Sequence, residues 1–290
     1  GLRLIGGNTI TYTGTNTAEI EVLHGTLKPG TGFDSSSGTI NLRANDQTVP
    51  GNTTNPRLDL AGEDITIETI NLFAEDLSGA TGLPGITDSV SGRSLSFTKL
   101  IDQTVSNISN DTTISAVLTG TGTLQAREDA NNTIKLTSAS TSFTGEIPLS
   151  LENQNLKIVD GGSVGTEIID MASTTHMGGF LTLGSNALTH LNPIVKMSRD
   201  DVLNVEGNNS FQLSNIIQIP GTESFTINIS DGVTSDFIIP SSYTDSLAAQ
   251  GQNVVSIDET FNQVRINSLG GDSRIKFSGS GTALSLRTFL

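Results

Sequence analysis

The chain has 290 residues, 34% hydrophobic and 4% aromatic, without Trp or Cys, and carries 15 basic against 30 acidic residues for a net charge of −15. The missing cysteines exclude disulfides, zinc-thiolate centres and thiol catalysis, and the scattered acidic surplus argues against nucleic acid, which is gripped by clustered Lys and Arg. No apolar run approaches the roughly 20 residues of a membrane helix, so membrane insertion is not expected.

In chain order, residues 1–60 read as an N-terminal β region. Ile10 and Tyr12 alternate with Thr9 and Thr11, and Ile20 and Val22 with Glu19 and Glu21, the period of two of half-buried strands. Asn45 to Arg57, with Pro50, Gly51, Asn52 and Pro56, reads as a polar loop or domain edge. A first β-rich module spans 61–150. Its opening strand carries Ile65, Ile67, Ile70 and Leu72, with a bulge expected after Glu68 where the alternation slips by one. Glu75 to Ser94, rich in Gly, Ser and Asp, reads as one long loop.

Phe97, Leu100, Ile101, Val105 and Ile108 fall at three- and four-residue spacings, which predicts a helix near 97–108 with Ser96 as its N-cap. Strands are expected at Ile114 to Leu118, Gly122 to Ala126 and Thr133 to Thr137, the last two a hairpin turning at Glu128 to Asn132. An irregular β connector occupies 151–205, and a second β-rich module 206–290. In the latter, Phe211 to Ile219 and Phe225 to Ile229 read as strands, with Asp231-Gly232 as a hairpin turn. Ser242 with Asp245 forms a capping-box-like start for a short helix near 243–250, ended by Gly251. Val254 to Ile257, Val264 to Ile266 and Ile275 to Phe277 complete the set. The expected fold is mainly β: antiparallel sheets with Gly, Asn and Asp turns, two short helices and a duplicated helix-hairpin module, with a β-helix as the alternative.

The duplication sets Ser96–Ser150 against Ser242–Leu290. Asn132-Thr-Ile-Lys-Leu-Thr-Ser138 aligns without a gap on Asn262-Gln-Val-Arg-Ile-Asn-Ser268. On these residues, with Phe225-Thr-Ile-Asn-Ile-Ser-Asp231-Gly232, Ser273-Arg-Ile-Lys-Phe277 and Gly281-Thr-Ala-Leu284, the stretch from Ser224 resembles a small module of tailed-bacteriophage virion proteins and flagellar-type structural proteins. A second resemblance lies in Gly7-Asn-Thr-Ile-Thr-Tyr-Thr-Gly14 and His24-Gly-Thr-Leu27, echoed at Gly120-Thr-Gly-Thr-Leu124 and Ser142-Phe-Thr-Gly145. It is similar to the repeat of autotransporter passenger domains, which build β-helices on bacterial surfaces.

No catalytic, cofactor or metal residue is assigned. His24, His176 and His190 lie in unrelated contexts, without the i,i+4 pairing of a helical metal site. The acidic pairs Glu63-Asp64, Glu75-Asp76, Glu128-Asp129, Asp200-Asp201 and Asp258-Glu259 lack the aromatic platforms of sugar-processing sites, since Tyr12 and Tyr243 are the only tyrosines. Asp231 with Asp236, or the Asp200-Asp201 pair, could hold a calcium ion through oxygen ligands, but they read as turn residues first. The expected function is non-enzymatic: a structural subunit of an extracellular assembly, foremost a virion tail, baseplate, fibre or capsid-surface component. The alternative is a secreted or cell-surface bacterial adhesin or appendage subunit, and a polysaccharide depolymerase ranks third. Expected partners are further copies of the chain, other structural subunits, and a host-surface glycan or receptor. The loop Glu75 to Ser94 and the acidic surface are the expected contact regions.

Overall fold

The computed structural model describes residues 1–46, 54–75, 82–103, 111–126, 133–151, 154–159, 161–166, 168–171, 178–185, 187, 194–197, 201–207, 210–212, 216–218, 225–230, 234–239, 264–268 and 274–279. Sequence and structure agree that the chain is mainly β. The strands, however, pair in parallel, and none pairs with its neighbour in sequence. One sheet of eleven strands runs Thr9–Tyr12, Thr26–Pro29, Arg57–Asp59, Gly85–Thr87, Asp111–Ile114, Thr133–Leu136, Asn155–Ile158, Phe180–Leu183, Val202–Val205, Phe225–Ile229 and Val264–Ser268. Parallel neighbours need a long return path, and here the return path is a coil: Asp111 lies opposite Thr133, and Ile134 opposite Leu156.

The other two sides of each coil build further sheets. Leu2–Leu4, Glu19–Val22, Ser35–Ala44, Ile65–Ala74 and Ser94–Asp102 pair in succession. Ser94–Asp102 then carries two strands of the next coil, Val117–Thr119 on its first half and Thr123–Gln125 on its second. After this division Ala139–Ser140 pairs with Ser163–Val164, while Ile147–Pro148, Ile168–Asp170, Ile194–Met197 and Ile216–Gln218 form a four-stranded sheet. Ser210–Gln212, Thr234–Ile239 and Arg274–Gly279 form another. The architecture is a three-sided parallel β-solenoid. At about 4.8 Å between neighbouring strands, its eleven-stranded side is about 48 Å long.

Stacking in register puts like on like. One inward column of the long sheet reads Leu27, Leu58, Ile86, Ile114, Leu136, Ile158, Leu183 and Val205, each opposite the next. All eight are at most 1% exposed, in one hydrophobic cluster extending from Leu4 to Val205. A core built of short aliphatic columns needs few aromatics, which accounts for the composition.

The slip expected after Glu68 is real, and it is a corner of the coil. Ile65 and Ile67 point inward, as do Ile70 and Leu72, with Glu68 and Thr69 between them turned outward. The same slip recurs one coil later, where Phe97 and Leu100 are buried on either side of exposed Thr98 and Lys99. This corrects the helix near 97–108: Ser94–Asp102 is a strand, and its inward residues are three apart because the chain bends between them. Residues 104–110 and the second expected helix near 243–250 lie outside the described residues. There is no helix among the described residues.

The hairpins are corrected as well. Thr123–Gln125 pairs with Ser94–Asp102, and Thr133–Leu136 with its counterparts one coil away on each side. Phe225–Ile229 pairs with Val202–Val205 and Val264–Ser268, not with Thr234–Ile239. The gapless match between 132–138 and 262–268 is the long-sheet strand recurring: Thr133–Leu136 and Val264–Ser268 both belong to that sheet.

Candidate functional site

From the second halves of Ser35–Ala44 and Ile65–Ala74, which form the third side of their coils, the chain rounds a corner to the next strands of the long sheet, Arg57–Asp59 and Gly85–Thr87. Asn45 anchors this corner. It is fully buried, with φ of 59°, a left-handed conformation that Asn tolerates better than most residues. Its amide N–H donates to Thr54 Oγ1 at 2.8 Å, its Nδ2 to the Gly82 carbonyl at 2.9 Å, and its Oδ1 accepts from the Thr54 amide at 3.4 Å. One side chain thus holds the bases of two connections in neighbouring coils. Asn45→Ala leaves the Gly82 carbonyl and Thr54 amide without these partners and retains the unfavourable torsion. It is expected to cost about 2–4 kcal/mol, read as a shift in the urea midpoint, whereas Asn45→Gly recovers the torsional part.

Charged groups gather beside Asn45. Asp46, 3% exposed, lies 3.6 Å from Arg43 and 3.8 Å from Arg3, which itself reaches Glu21 at 3.0 Å, while Arg43 also approaches Glu75 at 3.7 Å. The Arg43 guanidinium lies 5.2 Å from the ring centre of Phe73, directly opposite in the next coil. Arg57 donates to the Leu83 carbonyl at 2.9 Å, and burial lowers its guanidinium from the ordinary value. Its register partner is Gly85, where an added Cβ would collide with the guanidinium.

At the next corner, which leaves the long sheet, aspartates close the turns. Asp34 accepts from the Ser36 amide at 2.9 Å. Asp59, 5% exposed, accepts from the Ala61 amide at 3.1 Å and, across the coil boundary, from the Ser89 amide at 2.8 Å, with Lys28 at 3.2 Å on its other oxygen. Asp64 accepts from the amide and hydroxyl of Ser94 in the next coil, at 2.7 and 3.0 Å, and faces Arg93 at 3.4 Å. Asp88 accepts from the amides of Val90 and Arg93. Burial alone would raise the Asp59 carboxyl, but the Ser89, Lys28 and Ala61 donors hold it below its usual range. Ser94 does the same for Asp64, and Ser36 for Asp34.

Of the residues weighed as chemistry, Asp64 and Asp201 have fold-holding partners, Asp201 accepting from the Gly179 amide at 2.8 Å. His24 is half-buried beside Gly7. Asp76, Glu128, Asp129, His176, His190, Asp200, Asp231, Asp258 and Glu259 lie outside the described residues, as does the side chain of Asp236. The expected loop from Glu75 to Ser94 is not one loop: Gly85–Thr87 is a strand of the long sheet, so Glu75 and 88–93 sit at different corners. Among the described residues no group of three His, Asp or Glu could hold a metal.

The outward faces carry polar ladders. Asn71 donates to Asn41 at 2.8 Å, and Asn41 to Glu19. Asn228 donates to Asn204 at 2.9 Å, and Asn204 to Thr182 at 3.3 Å. Sequence reasoning passed over Asn45 and these ladders. The signal of the first ladder is the repeated Thr-Ile-Asn-Leu at 39–42 and 69–72, which the register lays directly over itself. Compared with protein-family models, curated proteins and solved structures, the chain matches none.

Proposed function

We propose that this chain is a non-enzymatic structural element of an extracellular assembly, serving as a spacer in the shaft of a bacterial surface adhesin or appendage. The observation that carries this reading is the eleven-stranded parallel sheet with its unbroken aliphatic column. Such a stack has a fixed axis and sets its length by coil count, and per-repeat insertions gathered at one edge are the common place for partner contact in repeat architectures. The similarity of Gly7–Leu27 to passenger repeats supports the same reading, as does the use of Asp59, Asp64 and Asp201 in holding turns.

A virion tail, baseplate, fibre or capsid-surface subunit is the second reading. Strands lie at Phe225–Ile229, Val264–Ser268 and Arg274–Gly279 within the outline expected in 224–290, although the first two stack in successive coils of the long sheet and the third pairs with Thr234–Ile239 in another sheet. Further copies of the chain, other structural subunits and a host-surface glycan or receptor are the partners proposed on either reading. Antibody raised against the chain tests both: labelling of intact source cells supports the adhesin, labelling of purified particles supports the virion protein. Label confined to the soluble fraction of lysed cells would sink both, and release of sugar from capsular glycans would overturn the non-enzymatic part.

A further inference from the structure

The turns that leave the long sheet are fastened in two chemically different ways. In the coils from Thr26 to Asp102 the acceptors include carboxylates, and two of them reach across coil boundaries: Asp59 to the Ser89 amide and Asp64 to Ser94. In the next two coils hydroxyls do this work. Ser115 and Thr137 donate their hydroxyls to the Ile86 and Ile114 carbonyls at 3.4 and 3.5 Å, and Ser138 donates to the Ser115 carbonyl. Their amides bond to the same Ile86 and Ile114 carbonyls at 2.8 and 3.1 Å. A carboxylate loses its charge in acid; these hydroxyls and carbonyls do not titrate.

We propose that this corner makes the solenoid acid-releasable over one section: protonating Asp59 and Asp64 undoes the ties between 57–64 and 88–94, while the hydroxyl-tied coils after 111 hold. The charged neighbours are accounted for. Asp59 faces Lys28 on the preceding coil, with Arg57 on its own strand and Asp88 preceding Ser89 on the following coil. Asp64 faces Arg93 on the following coil, with Glu63 beside it reaching Thr31. Both carboxyls lie below the ordinary aspartate value. Their contribution is therefore complete above about pH 3.9, the unfolded value, and fades as pH falls through the lower folded values. Acid also carries the chain from −15 through zero to a positive net charge as its carboxylates protonate, but that effect is spread over the molecule, so a local loosening stands out against it.

Amide hydrogen exchange on the whole chain at pH 6 and pH 2.5, expressed as protection factors, tests this. At pH 2.5 the Ser89 and Ser94 amides are expected to lose at least tenfold more protection than those of Ser115 and Thr137. In the double variant Asp59→Asn, Asp64→Asn, whose carboxamides still accept but do not titrate, that pH-dependent difference disappears. Equal loss along the chain, or an unchanged difference in the double variant, would overturn the proposal. If the variant does not fold, the wild-type ratio alone decides.

Discussion

Excising residues 133–154 leaves a folded solenoid shorter by one coil. The register requires it: Ile134 lies opposite Leu156, so the cut removes one full turn and brings Asn155–Ile158 against Asp111–Ile114 with inward residues still inward. In a stack where each coil touches only its neighbours, stability is roughly a sum of coil and interface contributions, and one lost coil lowers the melting temperature by several degrees without abolishing the transition. Part of that loss is specific. Phe143 leaves with the coil, and its ring packs on Phe97 with centroids 5.4 Å apart. Excising only 133–143 breaks the turn in its middle, and no register then returns both the long-sheet strand and the third-side strand to their places. That variant is expected to lose its cooperative β signal in thermal circular dichroism. Equal behaviour of the two deletions would refute the coil as the unit of stability.

Gly145→Val is expected to be the most damaging single substitution, because main chain meets main chain at that corner. A Cβ at Gly145 would fall inside contact distance of the Gly122 carbonyl and 2.8 Å from the Phe143 ring, and one at Gly122 would strike the Phe97 carbonyl. Three successive coils therefore meet backbone to backbone at these glycines, and a branched side chain forces them apart. Overpacking typically costs about 1–3 kcal/mol where side chains can yield. Carbonyls held in a ladder cannot, so a loss above about 3 kcal/mol in urea denaturation is expected. Gly161→Ala is the control. Its φ of 78° is unfavourable for Ala, but nothing lies within 4 Å of the added carbon, so about 1–2 kcal/mol of torsional cost is all that should appear. Similar losses for the two would refute the clash, since Gly145, unlike Gly161, does not have a positive φ.

The strands were largely legible, and their pairing was not. Alternation located Thr9–Tyr12, Glu19–Val22, Ile65–Ala74, Thr133–Leu136 and Phe225–Ile229, since burying one face demands a period of two in any sheet. Alternation carries no sign of whether the partner strand is next in sequence or one coil away. Turn-forming residues such as Asp231-Gly232 then favour the nearer partner, which the parallel ladders overrule. The helix at 97–108 failed for a related reason: a bent strand buries Phe97 and Leu100 three residues apart, as one helix face would. The self-match between 132–138 and 262–268 was correct evidence of repetition, taken at too large a period. What repeats is one side of a coil, many times over, under sequences that keep only their inward aliphatics. At the corners, Asn45 and Asp59 resemble ordinary loop residues until the stack brings Gly82 and Ser89 to them.

The asparagine ladders have a single polarity along the stack. In both, the side-chain amide of the later coil donates to an acceptor on the earlier one: Asn71 to Asn41, Asn41 to Glu19, Asn228 to Asn204, Asn204 to Thr182. A chain emerging amino terminus first would bring each new donor to an acceptor already fixed in place. Each turn thus offers acceptors to its successor, an arrangement compatible with adding coils one at a time from the amino-terminal end.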